Sequence, residues 1–139
     1  MNKSFWKNKK VLITGDTGFK GAWLTLALRS AGAEIQGLSS AKLNNNSELA
    51  DILELSSISN TIDADIRDQA LIESTFNAFQ PQIVFHLAAQ PLVRESYADP
   101  VNTYDINVMG TLNILECIRR SDSTKAAVFA TTDKCYENK

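Results

Sequence analysis

Short, wholly apolar runs alternate along this chain with longer stretches whose apolar residues recur at helical spacing, the pattern of βαβ units around a parallel sheet. Val11, Leu12 and Ile13 are consecutive rather than alternating, so residues 10–14 read as a strand buried on both faces. An amphipathic helix is expected over 19–31, carrying Trp23, Leu24, Leu26, Ala27 and Leu28, with Gly32 placed to end it. A second strand is predicted over 34–38, a polar surface loop over 39–47, a short helix over 48–55 and a third strand over 60–62. Residues 67–79 make a helix on the stripe Leu71, Ile72, Thr75, Phe76 and Phe79, stopped by Pro81 before a fourth strand over 82–86. The long helix expected over 100–120 is apolar nearly all round, through Tyr104, Ile106, Val108, Met109, Leu112, Ile114, Leu115 and Ile118, and so needs cover on two sides. A fifth strand over 126–130 follows.

Right-handed crossovers give these strands the order 3-2-1-4-5, a Rossmann-like three-layer α/β sandwich whose switch point lies between the first and fourth strands. The turn leaving the first strand, Thr14-Gly15-Asp16-Thr17-Gly18-Phe19-Lys20-Gly21, has Gly-x-x-Gly-x-x-Gly spacing and opens the first long helix. Gly15 allows a tight turn, Gly18 a close approach of backbone to a pyrophosphate, and Gly21 tight packing of helix on sheet. The helix N-terminus then offers amide donors and a partial positive charge, so dinucleotide binding is the reading preferred over a plain loop. A ribose-binding acid is expected near the end of the second strand, but that end reads Leu38-Ser39-Ser40-Ala41-Lys42, and Glu34 stands at the wrong end. The choice between NAD and NADP stays open at this point. After the third strand, Asp63-Ala64-Asp65-Ile66-Arg67 suits either an adenine-edge contact or an Asx turn capping the following helix.

Composition narrows the field. The 139 residues are 44% hydrophobic and 22% charged, an ordinary globular balance consistent with one domain over 1–139. A net charge of −2 makes nucleic acid and anionic membrane poor partners, and a small molecule the better expectation. Cys117 and Cys135 show no metal or disulfide spacing, so no metal is expected and a reduced, cytoplasmic setting is.

His86-Leu87-Ala88-Ala89-Gln90-Pro91-Leu92-Val93-Arg94 resembles the extended short-chain dehydrogenases/reductases that act on nucleotide sugars. Together with Gly18-Phe19-Lys20-Gly21, Asn107-Val108-Met109-Gly110-Thr111 and Thr131-Thr132-Asp133-Lys134-Cys135-Tyr136, it is similar within that group to the CDP-glucose 4,6-dehydratases. The resemblance implies a hydro-lyase using bound NAD, in which CDP-glucose is oxidised at C4, loses water across C5 and C6 and is reduced at C6 without net redox change. It implies that the turn with Gly15, Thr17, Gly18, Phe19, Lys20 and Gly21 holds the pyrophosphate, Asp65 and Ile66 the adenine, and Ala88, Ala89 and Gln90 the nicotinamide-side ribose. Asn107 is expected to bond backbone or water beneath the site, an ordinary polar helix residue being the alternative. Gly110 allows close helix approach, and His86 reads as a packed strand-end residue rather than an acid or base. Thr132 would polarise the C4 oxygen and Asp133 protonate the departing 6-hydroxyl. Lys134 takes the position where related dTDP-glucose enzymes carry a glutamate base.

The same family uses a Tyr-x-x-x-Lys pair after the fifth strand. Neither Tyr97 nor Tyr104 has a lysine four residues on, and Tyr136 has no residue at that distance in the sequence. The expectation is therefore the N-terminal part of a longer enzyme, lacking the sixth strand and substrate domain, inactive by itself and prone to homo-oligomerise. The alternatives are another nucleotide-sugar epimerase or dehydratase, and a non-catalytic dinucleotide-binding module.

Overall fold

The computed structural model describes residues 2–40, 47–132 and 137. Its strands are β1 (Lys10–Thr14), β2 (Glu34–Ser39), β3 (Asn60–Asp63), β4 (Ile83–His86) and β5 (Ala126–Phe129), all parallel, in the predicted order β3-β2-β1-β4-β5. A short helix, α1 (Lys3–Trp6), precedes β1; α2 (Phe19–Ser30) crosses from β1 to β2, and α5 (Gln69–Phe79) from β3 to β4. Between β2 and β3 lie α3 (Ser47–Ile52) and α4 (Leu55–Ile58).

Alternation along β1 explains the layers. Val11 and Ile13 point to one face with Leu28, Ala33, Ile35 and Ile83, while Leu12 joins Leu38, Ile72, Phe76, Val84, Ile106 and Ile114 on the other. Burying each such side chain contributes about 1.5–3 kcal/mol, so the platform is most firmly held around β1, at its centre.

Three stretches differ from the expected pattern. The helix expected over 48–55 is two short helices, because Glu54 turns left-handed at φ 49° and its N–H reaches back to the Asp51 carbonyl, which swings Leu55 into a cluster with Ala22 and Ala50. An unforeseen α6 (Val93–Ala98) fills the segment after β4. The long helix begins at Pro100 as expected, with Asp99 accepting from the Asn102 N–H, but consists of α7 (Pro100–Tyr104), a π turn (Asp105–Gly110) and α8 (Thr111–Arg120).

One side of this helix is buried through Ile106 and Ile114. Tyr104, Val108, Met109, Leu112 and Leu115 on it are exposed, as is Val128 on β5, so among the described residues the second apolar side has no cover. No helix among the described residues is long and apolar enough to cross a membrane.

Candidate functional site

The carboxyl ends of β1 and β4 meet at the glycine turn. Gly15 has φ +74°, and its N–H donates to the Leu38 carbonyl of β2 at 2.7 Å. A Cβ on Gly15 would lie 2.8 Å from the Ala88 nitrogen, so the backbone leaving β1 is pressed against the segment leaving β4, and only glycine fits. Gly18 sits at the N-cap of α2 with no side-chain cap and no acid in the first turn, which leaves the positive end of the helix suited to an anion. Gly21 packs against the Gly15 carbonyl with no room for a side chain. Phe19 and Lys20 are exposed beside this turn, and Thr17 is half-buried.

Asp16, in the middle of the turn, was not foreseen as a functional residue. Its side chain is fully buried and turns inward, toward β2 and β3. The Ser39 hydroxyl donates to Oδ1 at 2.6 Å and the Thr61 hydroxyl to Oδ2 at 2.5 Å, while the Thr17 N–H donates to Ser39 Oγ at 3.2 Å. Burial raises its pKa above the ordinary value, against the pull of these hydroxyls and of the Asp16 and Thr17 amides. The available signal was a carboxylate inside a phosphate-type turn, ahead of a second strand that ends without an acid.

At the end of β4, His86 is buried between two threonines. Thr111 donates to the Asn107 carbonyl at 2.7 Å, so its oxygen accepts from His86 Nε2–H at 3.0 Å; Nδ1 then accepts from the Thr14 hydroxyl at 2.7 Å. Thr14 Oγ1 in turn accepts the Leu87 and Ala88 N–H groups at 3.2 Å each. Burial pushes the imidazole pKa down to about 4, and both ring nitrogens are committed, so His86 is a packed neutral residue as read from the sequence. The π turn brings Asn107 against the following segment, where its side chain accepts from the Gln90 N–H at 2.8 Å and donates to the Gln90 carbonyl at 3.0 Å. The Gln90 side chain is engaged locally with Leu92 and Thr103, while Ala89 is exposed and Ala88 half-buried.

Beyond β3 an Asx turn is formed at Asp65, but it does not cap the helix: the cap of α5 is Asp68, whose side chain accepts from the Leu71 N–H. Asp65 Oδ1 accepts from the Arg67 N–H at 2.9 Å, and the carboxylate pairs with the Arg67 guanidinium, which holds its pKa below the ordinary value. The Ile66 side chain is buried against Gly110, where a Cβ would come 2.5 Å from Ile66 Cδ1. Ile66 can therefore meet a ligand only through its backbone. Thr132 is exposed just past β5, whereas Asp133 and Lys134 lie outside the described residues. The structure thus joins Gly15 to Ala88 and Gln90 to Asn107 at one edge of the sheet, with Asp65 and Ile66 beyond the neighbouring strand.

The family model for GDP-mannose 4,6 dehydratase matches residues 12–138. The chain is 44% identical over 139 residues to the CDP-glucose 4,6-dehydratase of Salmonella typhimurium, covering 100% of itself and 38% of that protein. Among solved structures it is similar to a UDP-glucose-4-epimerase from Stenotrophomonas maltophila with bound NAD and formylated UDP-arabinopyranose, at a TM-score of 0.83 and 23% identity over 95% of this chain and 39% of that one, a likeness of fold alone. The UDP-glucose 4-epimerase from Bifidobacterium longum in complex with NAD+ and UDP matches at a TM-score of 0.77 and 28% identity, covering 88% of this chain and 37% of that one.

Proposed function

This chain belongs to the GDP-mannose 4,6-dehydratase family, and we propose that it forms the NAD-binding part of a nucleotide-sugar 4,6-dehydratase, a hydro-lyase acting on CDP-glucose. The observation that carries this reading is the left-handed Gly15 turn, pressed on Ala88 below an α2 N-terminus that no side chain caps. A Cβ on Gly15 would collide with the Ala88 backbone and one on Gly21 with the Gly15 carbonyl, so the turn lies tight between β4 and α2 and leaves the helix N-terminus uncapped, a cradle that fits a dinucleotide.

The turn from Gly15 to Gly21, with Thr17, Gly18, Phe19 and Lys20, would hold the pyrophosphate by backbone amides. Asp65, kept ionised by Arg67, would accept from the adenine amine, and the Ile66 backbone would read the same edge. Ala88, Ala89 and Gln90 would line the nicotinamide-side ribose, with Asn107 fixing their backbone from below. The dinucleotide, when bound, supplies the hydride acceptor and donor. Thr132 would polarise the sugar C4 oxygen, Asp133 protonate the leaving 6-hydroxyl, and Lys134 stand where a base acts in dTDP-glucose enzymes. Residues 1–139 act in this reading as one cofactor-binding unit, and the exposed apolar side of α7 and α8 favours self-association, which sedimentation at increasing concentration reads directly.

Calorimetric titration of the chain with NAD tests the assignment. Saturable binding by the unsubstituted chain supports it; no binding, at NAD concentrations into the millimolar range, overturns it. The sugar is tested by offering CDP-, GDP-, dTDP- and UDP-glucose with NAD to the whole protein, with 4-keto-6-deoxy product expected from CDP-glucose.

A further inference from the structure

The end of β2 is where a Rossmann site ordinarily keeps the acid that meets the adenosine ribose, and this strand ends in Leu38-Ser39. The structure nevertheless puts a carboxylate there, delivered from a different element. Asp16 leaves the glycine turn, passes over Gly37, where a Cβ would overlap its carboxylate, and accepts the Ser39 hydroxyl at 2.6 Å. No described lysine or arginine is ion-paired with it; burial pushes its pKa up, and the Ser39 and Thr61 hydroxyls and the backbone amides that donate to it oppose that push. Among the described residues the groups that hydrogen-bond it are neutral donors, which leave the anion its net charge, and in a poorly screened interior such a charge acts over several ångströms.

We propose that Asp16 is the specificity-determining residue of the dinucleotide site: its buried negative charge, lying beneath Ser39, repels a 2′-phosphate on the adenosine ribose and selects NAD over NADP. Asp16 acts through Ser39 and touches no ligand, so it is a positioning residue. This inference rests on the dinucleotide reading above. It also explains why Gly37 is required in the middle of β2, since any side chain there would displace the carboxylate. Asp63, exposed at the end of β3 and in register with Ser39, is the competing source of negative charge.

The test is the ratio of NADP to NAD dissociation constants, measured by calorimetry on the full chain and on D16N and D63N. The unsubstituted chain should prefer NAD by about tenfold or more, the scale of a like-charge repulsion across a few ångströms of protein. In D16N the ratio should fall below about threefold, chiefly through tighter NADP binding, while D63N retains the preference. Loss of structure would weaken both nucleotides together and leave the ratio alone, so an unchanged ratio in D16N overturns the proposal, as does a preference lost in D63N instead. Equal binding of the two nucleotides by the unsubstituted chain overturns it and leaves the dinucleotide site standing; binding of neither overturns both. Should D16N fail to fold, D16S removes the same charge and carries the same expectation.

Discussion

Asp16 and His86 are both buried and titratable, and both stand at the carboxyl edge of the sheet, yet the hydrogen-bonding groups around them differ in kind. His86 lies in a directed chain of hydrogen bonds from Thr14 through both ring nitrogens to Thr111 and the Asn107 carbonyl, and a neutral imidazole satisfies every member. Among the described residues Asp16 meets donors, from Ser39, Thr61 and the turn backbone, an arrangement that suits an anion although burial opposes it. Burial alone therefore does not tell what a titratable group is for. The histidine closes its network and fixes the end of β4, whereas the aspartate leaves a charge that a ligand above Ser39 would feel.

The largest expected effect comes from cutting the histidine chain. Thr14→Val removes the donor to Nδ1 and the side-chain acceptor for the Leu87 and Ala88 amides, and should cost about 2–4 kcal/mol in urea unfolding. The second effect is a pH slope. His86 titrates near 4 folded and near 6.5 unfolded, so the unfolded chain binds more protons between those values. Its contribution is complete above pH 6.5 and disappears as pH falls to about 4, a change on the order of 3 kcal/mol. Unfolding curves across that window should show the slope in the parent chain and its loss in His86→Gln.

Asp16 carries the opposite sign. Its folded pKa is raised above 3.8, so the native state binds the extra proton, and the associated stability is lost as pH rises from 3.8 through the folded value. In D16N that opposing slope should vanish, while stability at pH 7 falls by about 1–3 kcal/mol, because the Asn amide turns a donor toward one of the hydroxyls that donate to the carboxylate. A loss of several kcal/mol would mean that the carboxylate is mainly a structural tie between the turn, β2 and β3.

The strand order was readable from residues such as Val11–Ile13 because consecutive apolar positions in a short run leave little choice but a strand covered on both faces. The inward course of Asp16 was not, since nothing in a Gly-x-x-Gly spacing says which way the residue after the first glycine turns. The π turn at Asp105–Gly110 was equally hidden: one extra residue per turn barely disturbs an apolar pattern that already runs nearly all round the helix. Val93–Ala98 is too short for periodicity to reveal a helix. For Asp65 the sequence allowed two readings; an Asx turn is formed there, but Asp68 and not Asp65 caps α5, and the turn leaves the carboxylate charged, so the adenine contact survives as a proposal.

The smallest effect expected is at Arg67. Its pair with Asp65 is about one-third exposed on each side, with side-chain exposures of 32% and 31%, so water and salt screen much of the attraction. Arg67→Met should cost only about 0.5–1 kcal/mol at pH 7, because the backbone N–H of residue 67 still closes the Asx turn on Asp65 Oδ1. The sign follows from the lowered Asp65 pKa: the stabilisation is present above the unfolded value of 3.8 and fades as pH falls through the folded one. Urea unfolding of the parent and R67M chains should therefore converge at low pH and draw closer in 1 M salt. NAD affinity should change by less than about threefold, since the carboxylate proposed to meet the adenine remains in place; a larger loss would put the guanidinium itself in contact with the nucleotide.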